Sequence, residues 1–260
     1  MASVEFDTNL TSCAQIVERA DPHRFRAAMV APVEARVKLF PLYAFNVEVA
    51  RAPWVTKEAM IAEMRLQWWR DALEEIASGG QVRRHEVVTP LSRALEAEGA
   101  RLLDGLIEAR RTDLEHAPFG EASELWSYLD ATSGLLMQVA ARMLGAQGGG
   151  EAAARKAGTA LGLANWFRAI PALEEAGRHP LPDGRPEAVA ALATQALGML
   201  AETRRQRAAI PAAAMLPLAG AVAVLKQAAR RPGDVAAGLL EPGAFRDRAA
   251  MAWQAATGRW

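Results

Sequence analysis

Residues 32–76 read PVEARVKLFPLYAFNVEVARAPWVTKEAMIAEMRLQWWRDALEEI, and this stretch decides the fold. Its first half is an apolar helix pattern in which Tyr43, Phe45, Val47 and Val49 stand around Asn46 and Glu48. In its second half Ile61, Met64, Trp68, Ala72 and Ile76 recur at helical spacing, while Glu63, Arg70, Asp71, Glu74 and Glu75 fall mostly elsewhere on the wheel. Two long helices are expected to pack here, the second with that stripe inward. Adjacent Trp68 and Trp69 point about 100° apart, so one belongs to the core and the other borders the surface.

The rest of the chain continues in helices. Residues 5–20 form one, and Asp21-Pro22 ends it and starts the next, which closes before Pro32 because proline restricts its predecessor. The 33–51 helix contains Pro41, which costs a hydrogen bond and bends it. A helix over about 57–77 stops at Ser78-Gly79-Gly80, and Thr89-Pro90 opens one through Glu98. Further helices are expected at Ala100 to Glu115, Ser123 to Gly145, 152–170 (ending at Pro171), and about 186–207, 211–230 and 242–257. No segment alternates as a strand and no repeat of 20 to 50 residues appears. The expectation is all-α, one domain over 1–260.

Composition narrows the function. The chain carries 30 basic and 30 acidic side chains, so no long-range field draws it to nucleic acid or an anionic membrane, and any such contact needs a local patch. Arg83-Arg84-His85 and Arg204-Arg205-Gln206-Arg207 read as solvated helix ends or faces. Cys13 is the sole cysteine, which excludes an intramolecular disulfide and a cysteine metal cage. His23, His85, His116 and His179 are scattered without metal-ligand spacing. The N-terminal residues lack a basic start followed by an apolar run, so the expected location is the cytosol. Residues 208–225, AAIPAAAMLPLAGAVAVL, are uncharged but dominated by Ala, Gly and Pro, with Pro211 and Pro217 as breakers. They read as a buried core helix, with a shallow peripheral membrane contact left open. Gly148 to Gly150 is no phosphate cradle, because the following Lys-Ser or Lys-Thr and the preceding strand are missing.

The Tyr43-Ala44-Phe45 helix resembles the N-terminal part of the squalene/phytoene synthase family, an all-helical branch of the isoprenoid-synthase fold with helices around a central cavity. That family follows Tyr-Ala-Phe with an aspartate cluster, and Ala50, Arg51 and Trp54 stand at its positions here. Its second motif resembles GTALGLANWFRAIPALEEAGRHPLP at 158–182, where Asn165, Arg168 and Leu181-Pro182 match while the two aspartates fall on Ala169 and Leu173. The helix before Asp113-Leu114 is similar to a further family segment. The resemblance implies Mg²⁺ held between aspartates that share a helix face, driving departure of diphosphate. Here both carboxylate sets are gone. Glu48 and Glu174 cannot replace them, being displaced about 200° and about 100° around their helices.

What remains looks like a narrower group, the synthase-related assembly factors for respiratory complex I, in AFNVEVARAP, MRLQWWRDALEEI, FRAIP and SYLDATSGLLMQVAARMLG. That resemblance implies a non-catalytic protein with no cofactor, acting on a complex I assembly intermediate or subunit at the inner face of the membrane. The alternatives are a Mg²⁺-dependent prenyl transferase making squalene or phytoene by head-to-head condensation, and a prenyl-lipid binding protein. No nucleic-acid partner is expected. Tyr43, Asn46, Glu48, Asn165 and Arg168 are the candidate polar residues of the cavity. Glu48 and Arg168 are expected to pair across it, since they are polar groups left where the two motif helices should face each other.

Overall fold

The computed structural model describes residues 7–56, 58–115, 117–240 and 243–260. Among these residues there is no strand. The helices are α1 (Thr8–Ala20), α2 (Pro22–Val30), α3 (Val33–Arg51), α4 (Ala59–Ser78), α5 (Val88–Ala94), α6 (Ala97–Arg110), α7 (Thr112–Glu115) and α8 (Ala122–Leu129). A π-helical turn, Asp130–Gly134, leads into α9 (Leu135–Met143), followed by α10 (Gly150–Glu175), α11 (Pro186–Arg204), α12 (Ala212–Met215), α13 (Ala221–Arg230), α14 (Gly233–Ala236) and α15 (Ala244–Thr257). His116 and the start of the first expected helix lie outside the described residues.

The ends follow local chemistry. Asp7 caps α1 by accepting from the Leu10 amide at 2.8 Å, and Asp21 caps α2 through the Arg24 amide at 2.9 Å, with Pro22 in the first turn. Gly79 ends α4 at φ 68°, a left-handed conformation that costs glycine little.

Tertiary packing moved several boundaries. The helix expected from Thr89 through Glu98 stops at Ala94, because Leu95 turns extended and lays its side chain where a Gly99 Cβ would stand, 2.6 Å from Leu95 Cδ1. Pro171 does not end α10, which runs on to Glu175, and its ring packs beside Gly238. The expected 211–230 helix breaks into α12, a 3-10 turn over Leu216–Leu218 and α13, since Pro217 lacks an amide hydrogen and Gly220 sits at φ 81°. The segment Ala212–Arg230 is long and apolar enough to cross a membrane, yet 56% of its window is buried in the protein. Met215, Leu216, Leu218, Val224 and Leu225 all lie in the core.

The stripe on α4 is also corrected. Its buried side runs through Ala62, Leu66, Trp69, Ala72, Leu73 and Ile76, while Ile61 and Met64 face solvent. The helix packs chiefly on α6, and it meets α3 mainly by an edge-on contact of Trp69 with Phe45 at 5.4 Å. In the first two turns Ala62 and Leu66 are the buried residues, so apolar spacing misplaced the start of the stripe, while Ala72 and Ile76 are buried as expected. Trp69 is core and Trp68 borders the surface, under the Arg83 guanidinium at 4.8 Å and beside His85.

A close helix approach joins α10 to the π-helical turn. A Cβ on Gly158 would lie 2.6 Å from the Ser133 carbonyl and 2.7 Å from Met137 Cβ, and one on Gly162 would lie 2.9 Å from Ser133 Cβ. Asp130 bolts the crossing by accepting from Arg155 Nε at 2.9 Å and from Thr159 Oγ1 at 3.0 Å.

Gly158→Ala should lower unfolding free energy by about 1–3 kcal/mol through overpacking against backbone. Gly198→Ala, in the exposed face of α11 with nothing near, should raise it by about 0.5–1 kcal/mol. Urea denaturation of the two variants measures both signs. His23 adds a pH dependence: its Nε2–H donates to the Pro217 carbonyl at 2.9 Å while Nδ1 is buried without a partner. Burial, the largest influence, holds its pKa below the usual 6.5. The unfolded chain therefore binds a proton first, and stability should be full above that value and fall as pH drops through it. His23→Gln should flatten the urea midpoint between pH 7.5 and 5.5.

Candidate functional site

The two candidate motifs are joined through the residues that follow their helices, Trp54 after α3 and Arg178 after α10. Tyr43 and Asn46 are buried on α3, and burial pushes the Tyr43 phenol well above its ordinary range. The Arg24 guanidinium lies 5.8 Å from the Tyr43 ring centre. Ala50 is half-buried, Arg51 is exposed, and Trp54 projects from the turn after α3 with half its surface in solvent.

Trp54 is engaged, not idle. The Arg178 guanidinium stacks over its ring at 4.1 Å, and Arg178 Nη2 donates to the Asp113 carbonyl at 3.1 Å. Trp54 is thereby tied to the turn that follows α10 and to α7. A cation on an indole face is worth about 0.5–1 kcal/mol at such exposure.

Asp113 lies beneath this contact and is committed to other partners. The Tyr128 hydroxyl donates to its carboxylate at 2.9 and 3.0 Å, and Arg110 Nη1 lies 3.2 Å from Asp113 Oδ2 and 2.6 Å from the Tyr128 oxygen. Burial drives the Tyr128 phenol well above its ordinary range. For Arg110 burial opposes the charge, but Tyr128 and Asp113 outweigh it and hold the guanidinium protonated. The carboxylate is thereby committed to Tyr128 and Arg110.

Aromatic rings occupy the remaining space. Phe119, Tyr128 and Trp166 form a triangle with ring centres 5.4 to 5.9 Å apart, and Trp166 Nε1 donates to the Pro180 carbonyl at 2.8 Å. A cavity of about 30 Å³ remains between Asp113, Phe119, Trp166, Leu173 and Arg178. It has room for a water and none for a diphosphate. Leu173 lines it, whereas Ala169 and Asn165 are half-buried on α10.

The expected Glu48–Arg168 pair does not form. Glu48 Oε1 meets Arg51 Nη1 at 3.5 Å and lies beside Arg65, Trp68, Trp69 and His85, on the α4 side. Arg168 Nη2 faces Asp247 Oδ2 of α15 at 3.8 Å. The C-terminal helix supplies the counter-charge, and no motif spacing reveals a partner so far along the chain. Arg178 was likewise missed, although it sits in the AGRHPLP turn beside the matched Leu181-Pro182.

The donor set does not suit Mg²⁺. Among the described residues no three His, Cys, Asp or Glu side chains are grouped to hold a metal ion. The two vacated motifs contribute methyl, guanidinium, indole and isobutyl groups where hard oxygen ligands are required. Cys13 is buried, donates to the Glu86 carbonyl at 3.4 Å, and has its thiol pushed up to about 12 by burial, which leaves no reactive thiolate.

The squalene/phytoene synthase family model matches residues 17–184. Curated relatives include the Drosophila melanogaster homolog of NADH dehydrogenase (ubiquinone) complex I, assembly factor 6, 32% identical over 178 residues, 65% of this chain and 52% of that one. The Homo sapiens protein of that name is 26% identical over 162 residues, 61% and 48% of the two chains. The chain thus spans about half the length of the curated relatives it matches. Among solved structures, a dehydrosqualene synthase superposes with TM-score 0.77 at 14% identity, covering 96% of both chains. A squalene synthase from Alicyclobacillus acidocaldarius gives 0.71 at 17% identity, covering 86% of this chain and 94% of that one. The fold is the all-α isoprenoid-synthase fold.

Removing the carboxylate under the mouth tests this geometry. Asp113→Ala leaves Arg110 without its counter-charge, and because that side chain keeps 19% of its surface in solvent the cost should be about 3 kcal/mol. Tyr128→Phe should cost about 1 kcal/mol. Chemical denaturation of both variants gives the comparison.

Proposed function

The chain belongs to the squalene/phytoene synthase family, and from that premise we propose that it serves the assembly of respiratory complex I as a binding protein and catalyses no prenyl transfer. The filled mouth carries this reading. Ionising an allylic diphosphate needs a cation to take up the leaving charge, together with room for the chain. Here Trp54, Arg178 and Leu173 stand at or beside the lost carboxylates, and Phe119, Tyr128 and Trp166 fill the space beneath. A prenyl-lipid carrier would need that same space. Relatives named for complex I assembly support the direction of the proposal.

A second observation favours a binding role. Trp54, Val55, Met60, Ile61 and Met64 are all exposed in the segment that leads from the closed mouth into α4. Clustered apolar groups of this kind mark contact surfaces, and unbranched Met adapts to a partner. In this reading the partner is a complex I assembly intermediate or subunit, met at the cytoplasmic, inner face of the membrane, and the protein works without a resident cofactor.

Deletion of the gene should abolish rotenone-sensitive NADH oxidation in isolated membranes while succinate oxidation persists, and the intact gene should restore it. Met60→Glu/Met64→Glu, exposed and expected to fold, should fail to restore it. Unchanged NADH oxidation, or Mg²⁺-dependent diphosphate release from a prenyl diphosphate by the purified protein, would overturn the proposal.

A further inference from the structure

Away from the mouth, α13 and α15 enclose a groove of about 530 Å³, within the size range of small-ligand sites. Four cations line it: Lys226, Arg230 and Arg231 from the end of α13, and Arg246 from the first turn of α15. Arg231 is held by Asp234 at 3.2 Å, and Asp234 also accepts from Gln227 Nε2 at 2.7 Å, which steadies that wall. Lys226, Arg230 and Arg246 have no ion-pair partner among the described residues. Among the described residues the one acid lining the groove, Asp247, turns its charge inward: Oδ2 faces Arg168 at 3.8 Å and Oδ1 is buried against Gly220, where a Cβ would collide with it.

This arrangement carries local costs. Lys226 and Arg230 are a like-charged i, i+4 pair, which weakens a helix by a few tenths of a kcal/mol. Arg246 lies at the end of α15 where the helix dipole disfavours a cation. A ligand bearing concentrated negative charge offsets both.

We propose that the α13–α15 groove binds a phosphate-bearing ligand, with Lys226, Arg230 and Arg246 as its cationic contacts. Arginine suits phosphate through its paired donors, and lysine adds a point charge. Two exposed apolar residues are linked to groove residues, Phe245 in sequence and Leu239 through a hydrogen bond. Phe245, next to Arg246, is 84% exposed, and Leu239, whose carbonyl accepts from Gln227 at 2.9 Å, is 62% exposed. A phosphate carried on a lipid would use both parts, and a free phosphate only the first. The site uses no residue of the mouth, so it stands or falls separately from the assembly role.

The test uses the full chain with two probes: sodium pyrophosphate by calorimetry, and vesicles of phosphatidylcholine with phosphatidylglycerol by co-sedimentation. Binding of either probe, weakened at least tenfold by Lys226→Gln/Arg230→Gln/Arg246→Gln and unchanged by Arg205→Gln/Arg207→Gln, supports the site. Phe245→Ser then separates the sources, because it should weaken vesicle binding and leave pyrophosphate binding intact. Absence of binding to both probes, or equal weakening by the two sets of charge substitutions, overturns it. Thermal melts of the variants verify that these exposed substitutions leave the fold in place.

Discussion

Everything at the mouth depends on how closely α10 can approach the π-helical turn. Gly158 brings backbone against the Ser133 carbonyl and Gly162 against the Ser133 side chain, at distances a Cβ on either would prevent. The extra residue in the turn lets the chain pass from α8 to α9 while Thr132 donates back to the Tyr128 carbonyl at 2.7 Å. Tyr128 is thereby set one turn before the crossing and Trp166 one turn after it. Their rings meet at 5.4 Å, and Tyr128 reaches Asp113. A single close crossing thus delivers both the ring stack that fills the mouth and the hydroxyl that engages its carboxylate.

Alanine, tryptophan and leucine at positions 50, 54, 169 and 173 offer no ligand through which a cation could hold two helices across a gap. Two carboxylate clusters facing each other would repel without a cation between them, and an emptied cavity would forfeit packing contacts. The chain resolves both problems with ordinary side-chain contacts. Arg178 stacks on Trp54 and bonds the Asp113 carbonyl, so one guanidinium links three segments. The individual contacts are modest. They suffice because the buried helices beneath already supply most of the stability, and the mouth needs only to be closed.

The charge distribution follows a similar division. With 30 cations against 30 anions, overall balance says little about partners. Locally, Arg110 is half-buried beside its counter-charge, Arg168 faces Asp247 of α15, and Lys226, Arg230 and Arg246 are left facing one groove. A neutral protein thereby carries a positive surface feature on one side and an apolar one, Trp54 through Met64, beside the mouth.

Helical class, the Tyr43 helix and the absence of carboxylates at Ala50, Trp54, Ala169 and Leu173 were legible in the sequence, because helical spacing and side-chain identity are local properties. Trp68 and Trp69 divided between border and core as their 100° offset requires. Local pattern could not say which face of α4 finds a neighbour, since Ile61 and Met64 are apolar whether or not α6 extends beneath them. Nor could it pair Arg168 with Asp247, or Arg178 with Trp54 and Asp113, because such contacts join residues far apart in the chain. The sequence by itself determined that this chain is helical and that no carboxylate stands at Ala50, Arg51, Trp54, Ala169 or Leu173. Only the tertiary structure decided that the vacated site is filled and latched, because filling depends on how closely separate helices approach, and that distance is set by packing between them.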